Sequence, residues 1–457
     1  MRRIWILLLL AGCSIQPSYE RPKVELPAAW RESAQGKAVE ANWWRVYADP
    51  GLEQLVEEAL ARNTNLLLDA ARVDEARALL AQADASFYPT VDGNLARGRS
   101  LSSAATGLLP PGVQRERNNY RAAVNVSYEI DLWGRLCTAA QAAKADLLAS
   151  EAARETVRIT LAADVAKAYF ALRALDAEAA ATRRTLGLRE DGLRLQQKRF
   201  DGGVISEFDF RQLEAEVAAA RAQLPPLERD REIQQAALAL LLGRSPKAIL
   251  ENSILLDERE NLSQLPAVVP SGLPSELLLR RPDLVEAEQR LIAANARVAV
   301  ARSAHFPSIQ LTGALGSEAQ MLSSLFTGPA GLWSFVAGVA VPIFAGGRLE
   351  AQIGAAEARE KQALAGYQGA IQNAFREVRA ALAAQTRARE SYEAEGDRAR
   401  ALASTLRLAR LRYDNGLASQ LDVIDAERNL LAAEITRLEA LRAQRAAVAD
   451  LFKALGG

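Results

Sequence analysis

The chain repeats itself at a spacing of 213 residues. The segment LRLQQKRFDGGVISEFDFRQLEAE, which begins at Leu193, matches LRLARLRYDNGLASQLDVIDAERN, which begins at Leu406. Further upstream, Pro89 and Pro307 are 218 residues apart, which places an insertion of five residues in the first copy, and we expect it in the loop at 102–119. Length alone would suggest about three domains. The repeat instead indicates two copies of one long unit.

Each copy contains two segments in which apolar and polar residues alternate, as in β-strands with one apolar face. The predicted strands are 90–101, 120–132, 308–316 and 333–344. The alternation at 90–101 is the poorest, because Arg97 and Arg99 fall on its apolar side. Strands of about ten residues flanked by Tyr and Trp are typical of membrane barrels. A small soluble sheet with one face on a core is the alternative.

Long helical patterns separate these hairpins. The segments 136–199 and 348–412 contain no proline, and their apolar residues recur at steps of three and four, as in coiled coils. Shorter helices are predicted at 65–86, 206–242, 283–304 and 419–455. Pro225-Pro226 should bend or interrupt the second of these. The predicted fold class is therefore mostly α with a small β part, a duplicated unit of long coiled-coil helices plus two β-hairpins.

The composition disfavours enzymes and nucleic-acid binders. One histidine and two cysteines leave little material for metal clusters or Cys/His nucleophile pairs, and no phosphate-binding loop or nucleophile elbow occurs. The 56 Lys and Arg residues balance 56 Asp and Glu residues, and no basic run interleaves with aromatics. His305 is interpreted as a structural residue. We therefore predict no catalytic residues, no cofactor, no metal site and no nucleic-acid partner.

The amino terminus has the features of a secretory signal. Two arginines and an apolar run precede Leu10-Ala11-Gly12-Cys13, which resembles the lipobox of bacterial lipoproteins, where the cysteine is acylated. A chance cysteine in an ordinary signal is the alternative. The predicted organisation is a signal peptide at 1–12, a lipidated segment at 13–50, a first repeat at 51–243, an equatorial linker at 244–271 and a second repeat at 272–457.

Four strands per chain are too few for a closed membrane barrel, because the smallest have about eight. The sequence therefore predicts an oligomer. Two chains would give a barrel filled by side chains, whereas three would leave a wide passage. A barrel that continues into long helices suggests a duct.

Four ordered motifs resemble one family: YEIDLWGRL from Tyr128, LLGRSP from Leu241, GLPSELLLRRPDL from Gly272 and HFPSIQLTGALG from His305. They resemble the TolC-like outer membrane efflux proteins of the lipoprotein branch. The resemblance implies a homotrimer with a twelve-stranded barrel in the outer membrane, a periplasmic α-helical barrel, and attachment to outer membrane lipid.

The same resemblance implies two protein partners, a periplasmic adaptor and an inner-membrane pump, commonly of the resistance-nodulation-division class. The chain would conduct drugs, metals or other small solutes passively to the exterior. A lipid-anchored periplasmic coiled-coil scaffold without transport activity is the alternative, although it leaves the hairpin strands unexplained.

The sequence predicts two functional sites, an adaptor-docking tip in each copy and a gate in the second copy. The turns that follow the long helices are expected to form the periplasmic tips and dock the adaptor through solvent-facing aromatic rings and their neighbours: Arg199, Phe200, Gly203, Arg412, Tyr413 and Gly416. A plain helix-hairpin turn is the alternative.

The predicted periplasmic gate consists of Leu421, Asp425 and Arg428, which share one helix face. In the family that the chain resembles, the matching Leu and Asp close the periplasmic aperture. The first copy has Phe208 and Gln212 at the positions equivalent to Leu421 and Asp425. An ordinary solvated helix face is the alternative.

Overall fold

The computed structural model describes residues 19–22, 42–103, 105, 114–251, 254 and 280–457. The chain divides into two compact units. The first comprises Met1–Lys23, Arg72–Glu151 and Glu286–Gln368, and the second comprises Val24–Ala71, Ala152–Val285 and Gly369–Gly457. Cys13 and most of the expected linker at 244–271 lie outside the described residues. Helices dominate the described part of the chain, and one four-stranded sheet accompanies them.

Nine α-helices are described. They are α1 (Pro50–Arg62), α2 (Thr64–Ala85), α3 (Arg135–Asp201), α4 (Glu207–Ala222), α5 (Leu224–Leu241), α6 (Pro246–Leu250), α7 (Pro282–Ser303), α8 (Arg348–Asp414) and α9 (Gln420–Leu455). The two long helices, α3 and α8, contain 67 residues each. Among the described helices, none combines the length and the apolar character that a bilayer-spanning helix needs.

The segment expected as one helix at 206–242 is two helices, α4 and α5. Pro225 and Pro226 lie in the first turn of α5, where the backbone N–H that proline lacks has no partner within the helix. A proline pair inside a continuous helix would instead leave carbonyl groups of the preceding turn without donors. The break at Gln223 therefore follows from the two prolines.

The first unit contains the sheet. Its strands are β1 (Thr90–Leu101), β2 (Glu116–Ile130), β3 (Ser308–Ala319) and β4 (Gly331–Ala340), in the antiparallel order β1-β2-β3-β4. β2 begins four residues earlier than its alternation suggests. β4 ends at Ala340, two residues before Pro342, which has no N–H to donate to a ladder. β1 and β4 are the two edges of this sheet.

One face of the sheet is apolar. Val124 lies opposite Leu315, which lies opposite Trp333, and the same face carries Leu95 and Val339. Leu95 is 84% exposed, Trp333 79% and Val339 70%. The other face carries polar pairs such as Ser127 opposite Thr312. A contiguous exposed apolar surface of this kind indicates contact with lipid or with another chain.

The junction of strand and helix in the first unit uses residues of the recognised motifs. Arg135 opens α3 and donates to both carboxylate oxygens of Glu129, at 3.1 and 2.7 Å. Trp133 Nε1 donates to the carbonyl oxygen of Pro307 at 2.7 Å, and its ring stacks on Phe306 at 5.1 Å. These contacts fasten the ends of β2 and β3 to one another.

The second unit is built around a core to which the segment before α1 contributes. Trp43 stacks on Phe452 of α9 at 5.2 Å, and both side chains are buried. The Tyr47 hydroxyl donates to the backbone carbonyl oxygen of Arg445 at 2.6 Å. Aromatic burial of this size is a major stabilising contribution. The segment therefore packs against the last helix of the chain.

The duplication extends to helix junctions in the second unit. Asn63 Nδ2 donates to the carbonyl oxygen of Leu241, at the end of α5, at 2.8 Å. At the equivalent place in the second copy, Arg281 Nη1 donates to the carbonyl oxygen of Ala454, near the end of α9, at 2.9 Å. Each contact satisfies a carbonyl that the last helical turn leaves open. Both copies thus have a side-chain hydrogen bond to a carbonyl near the C-terminus of the equivalent helix, although the donor is Asn63 in one and Arg281 in the other.

Candidate docking and gating sites

The turn after α3 is a Schellman motif. Val204 N donates to the carbonyl oxygen of Arg199 and Gly203 N to that of Phe200, both at 2.8 Å. Gly203 has φ 73°, a left-handed conformation that side chains with a Cβ disfavour. The glycine therefore ends the long helix and reverses the chain.

The turn after α8 has the same geometry. Leu417 N donates to the carbonyl oxygen of Arg412 at 2.8 Å, Gly416 N donates to that of Tyr413 at 2.9 Å, and Gly416 has φ 72°. Arg412 Nη2 also donates to the carbonyl oxygen of Leu417 at 3.3 Å. This arginine closes its own turn, so its guanidinium is already partly engaged.

A serine begins each returning helix. Ser206 Oγ accepts from Asp209 N at 3.2 Å, and Ser419 Oγ accepts from Asp422 N at 3.3 Å. In the second copy Ser419 N also donates to Asp422 Oδ2 at 2.8 Å, which completes a capping box. The backbone N–H and the hydroxyl of Ser419 both donate to the Asp422 carboxylate and lower the pKa of Asp422.

The aromatic residues of the turns differ from the solvent-facing position expected for them. Phe200 is half-buried and stacks on the buried ring of Phe210 in α4 at 5.2 Å. Tyr413 is also half-buried, and its hydroxyl accepts from Gln196 Nε2 at 3.1 Å and from Arg199 Nη1 at 3.0 Å. Both donors lie on α3. The Phe200 ring therefore packs α3 against α4, whereas the Tyr413 hydroxyl links α8 to α3.

Aliphatic and aromatic side chains next to the turns are exposed instead. Val204 is 70% exposed and Leu417 69%, and these two residues are equivalent in the duplication. The next equivalent pair, Phe208 and Leu421, is 75% and 46% exposed. The sequence analysis did not identify Val204 and Leu417 as site residues. The signal was that each copy has an apolar residue directly after its turn glycine. Each turn thus presents one exposed aliphatic residue, and we call these two residues, Val204 and Leu417, the tip surface.

The expected gate residues lie on α9, and two of them are paired. Asp425 and Arg428 form an ion pair within the helix. Arg428 Nη1 also lies 3.7 Å from Glu216 Oε1 of α4, and Glu216 Oε2 lies 3.3 Å from Arg189 of α3. Arg428 therefore links the second copy to the first through a carboxylate that a buried arginine already holds.

No metal centre accompanies these sites in the described ranges, where no three His, Cys, Asp or Glu side chains are grouped for one. The chemistry of the tips is thus apolar contact, with arginine and carboxylate pairs along the helices. Such a surface is suited to contact with another protein or to narrowing a passage.

Comparisons with known proteins agree with this architecture. A model of the family described as outer membrane efflux protein matches residues 55–244 and 273–457. The cation efflux system protein CusC of Escherichia coli is 34% identical over 99% of this chain and 97% of its own length. The toluene efflux pump outer membrane protein TtgF of Pseudomonas putida is 35% identical over 99% and 96%. The CmeC outer membrane channel of Campylobacter jejuni superposes with a TM-score of 0.89 at 26% identity, over 97% of this chain and 95% of its own.

The matches extend through both copies of the repeat, and full-length relatives cover nearly the whole chain. This protein therefore belongs to the outer membrane efflux protein family, as an efflux channel of the outer membrane.

Proposed function

We propose that the chain is the outer membrane duct of a tripartite efflux system and conducts small solutes passively, as a homotrimer. The observation that carries the proposal is a four-stranded sheet with two edge strands and an uncovered apolar face. An edge strand in a membrane must pair, because unsatisfied N–H and C=O groups are costly in lipid. Pairing β4 of one chain with β1 of the next chain closes a barrel, and three chains supply twelve strands.

The solutes are small toxic compounds. One relative is named for cation efflux and another for toluene efflux. Relatives with about the same identity to this chain thus carry chemically unlike names, which supports a duct that does not itself select its cargo. A periplasmic adaptor and an inner-membrane pump would then decide what enters, and no catalytic step is needed in this chain.

Adaptor docking is proposed at the tip surface, together with the arginines and glycines of the turns. Exposed apolar residues beside a charged rim are typical of protein interfaces. Glutamate at Arg412, or a bulky residue at Gly416, is expected to lower export in cells while the trimer still assembles. Unimpaired export by both variants would contradict docking at the turns.

Lipidation of Cys13 is proposed as a second attachment to the membrane. Arg21, eight residues after Cys13, is held in the first unit, because it donates to both oxygens of the buried Glu288 carboxylate at 2.6 and 2.5 Å. Cys13 is six residues before Tyr19, within about 20 Å of extended chain. The variant Cys13→Ser should lose acylation and remain membrane-associated. An unmodified Cys13 in the mass spectrum of the mature parent protein would contradict lipidation.

The duct is tested by the conductance of the purified full chain in planar bilayers. We expect stepwise, ion-conducting events, because a twelve-stranded barrel leaves a water-filled interior. The coiled-coil scaffold alternative expects a membrane-bound protein that inserts without conductance. Silent bilayers at protein densities verified by labelling would therefore overturn the proposed function.

A further inference from the structure

Two arginines lie on the apolar face of the sheet. In the register of β1 and β2, Arg97 lies opposite Tyr120 and Arg99 opposite Asn118, on the same face as Leu95 opposite Ala122. This face continues across the sheet to Trp333. An arginine in contact with lipid tails is costly unless its guanidinium reaches water or an anion. The position of these arginines along the strand therefore decides what they contact.

Their position is at one rim of the apolar band. On β2 this band extends from Tyr120 to Ile130. Ten residues at about 3.3 Å each, tilted by about 40°, span roughly 25 Å, the height of the apolar band of a membrane barrel. Helices adjoin the other ends of the strands, at Thr90 and Ile130. Given the proposed function, with the helices in the periplasm, Arg97 lies at the outer rim, where headgroups begin.

On the apolar face, the arginine nearer to the middle of the sheet has no carboxylate partner among the described strands. Arg99 Nε donates to Glu116 Oε1 at 2.5 Å, and these side chains remain 66% and 54% exposed. Arg97 stacks over the Tyr120 ring, with Cζ 5.6 Å from its centroid, and makes no ion pair within the described strands. The stacking holds the planar fork with its N–H groups free to donate.

The opposite face of the sheet shows a contrasting arrangement. Arg121, the neighbour of Tyr120, lies 3.7 Å from Glu318 and is therefore neutralised within the sheet. On the apolar face, the positive charge of Arg97 thus lies at the outer rim. Its surroundings combine exposed aliphatic surface, at Leu95, with an arginine fork immediately above it. A ligand that matches both carries acyl chains and an anionic headgroup.

We propose that Arg97, supported by Tyr120 and Arg99, binds a phosphate group of a phosphorylated glycolipid in the outer leaflet. The guanidinium fork would donate to two phosphate oxygens. It would therefore favour an anionic phosphate group over a zwitterionic headgroup, whose net charge is zero. The acyl chains would lie along Leu95 and the apolar face below it. This inference rests on the proposed function only for the orientation of the strands.

The test measures lipid retention by the full-length trimer. Purified protein in detergent is incubated with diphosphorylated lipid A, dephosphorylated lipid A or phosphatidylethanolamine, and bound lipid is counted by native mass spectrometry. We expect the parent to retain the diphosphorylated form and the variant R97Q/R99Q to lose affinity by roughly tenfold, the equivalent of about 1.4 kcal/mol. R121Q, on the opposite face, is the matched control and should retain lipid as the parent does.

Several results would overturn the site. They are equal retention by the parent and R97Q/R99Q, equal retention of dephosphorylated lipid A by the parent, and an equal loss in R121Q. Y120L should give an intermediate loss, because it keeps apolar volume but removes most of the polarised ring that supports Arg97. Conductance of R97Q/R99Q in planar bilayers should equal that of the parent. Normal conductance with unchanged lipid retention would refute the lipid site alone, whereas absent conductance of the parent would refute the duct.

Discussion

At the scale of single residues, the most unusual environment is that of Glu178 on α3. Its side chain is buried, and it makes no hydrogen bond or ion pair within the described part of the chain. Burial and, to a smaller extent, the charge of Glu439 together raise its pKa to about 7, although Arg442 opposes both effects. Thr182, one turn later, is also fully buried, and its hydroxyl has no partner among the described residues.

We expect Glu178→Gln to stabilise the protein at alkaline pH. A carboxyl group whose pKa is raised on folding costs stability as pH rises from about 4.5 to 7, and the cost is constant above that range. The variant should therefore gain on the order of 2 kcal/mol at pH 8 and almost nothing at pH 4. Thermal unfolding followed by circular dichroism across this pH range measures the difference.

The matched control is Glu393→Gln, which changes an exposed glutamate on α8 that faces Arg389. Its effect should be small at every pH, because exposed pairs contribute little. A Glu178→Gln gain that is independent of pH would contradict the ionisation argument and indicate a packing effect instead.

At the scale of elements, each copy of the repeat contains a helical hairpin, α3–α4 in the first and α8–α9 in the second. A few polar contacts join these two helical hairpins near their turns. The Tyr413 hydroxyl of α8 accepts from two donors on α3, and Arg428 of α9 reaches Glu216 of α4. Within the second copy, Arg410 Nη2 donates to Glu427 Oε1 at 2.7 Å. Hairpins coupled through so few groups can separate when those groups are released, because each neutral hydrogen bond contributes only about 1 kcal/mol.

Tyr413→Phe should loosen the turn after α8. The change keeps the ring and removes the oxygen that accepts from Gln196 and Arg199, so the buried amide of Gln196 loses a partner. We expect backbone amides at 411–420 to exchange with deuterium several-fold faster, for a loss of about 1 kcal/mol. Tyr392→Phe, which changes a tyrosine 21 residues earlier on α8, is the control. Equal protection in the parent and Tyr413→Phe would show that this hydroxyl does not hold the hairpins together.

The sequence predicted these elements unevenly, for physical reasons. Alternation and helical spacing are local, so the strands, the long helices and the turn glycines could be read from short windows. The partners of Tyr413 are 214 and 217 residues away, and they depend on how α3 and α8 are rotated about their axes. The half-buried position of Tyr413 therefore could not be predicted, and neither could the burial of Glu178.

At the scale of the whole molecule, the proposed trimer turns each gate residue into a ring of three. Leu421 would narrow the passage by packing, and Asp425 would supply carboxylates that favour cations, as charged rings do in channels. The first copy has Phe208 and Gln212 at the equivalent positions, so the two copies would contribute unequally to the constriction.

Alanine at both Leu421 and Asp425 should raise the resting conductance and weaken cation selectivity. The physical reason is that the variant removes both the obstructing side chain and the charge, and it frees Arg428 from one of its two carboxylates. Single-channel recording with a salt gradient measures conductance and selectivity together. A double variant that conducts and selects like the parent would mean that the constriction lies elsewhere.

Closure of the barrel by three chains is tested most directly by disulfide cross-linking between edge strands. In a Cys137→Ser background, cysteine is placed at Val336 of β4 and, in turn, at Asp92, Asn94 or Ala96 of β1, which share one face of the sheet. A disulfide requires Cα atoms within about 7 Å, so it forms only where β4 of one chain adjoins β1 of the next chain. We expect at least one pair to give covalent species of two and three chains and none of four, whereas cysteine at Val91, on the opposite face, should cross-link far less. Monomers in every pair, or an open ladder beyond three chains, would contradict a closed trimeric barrel.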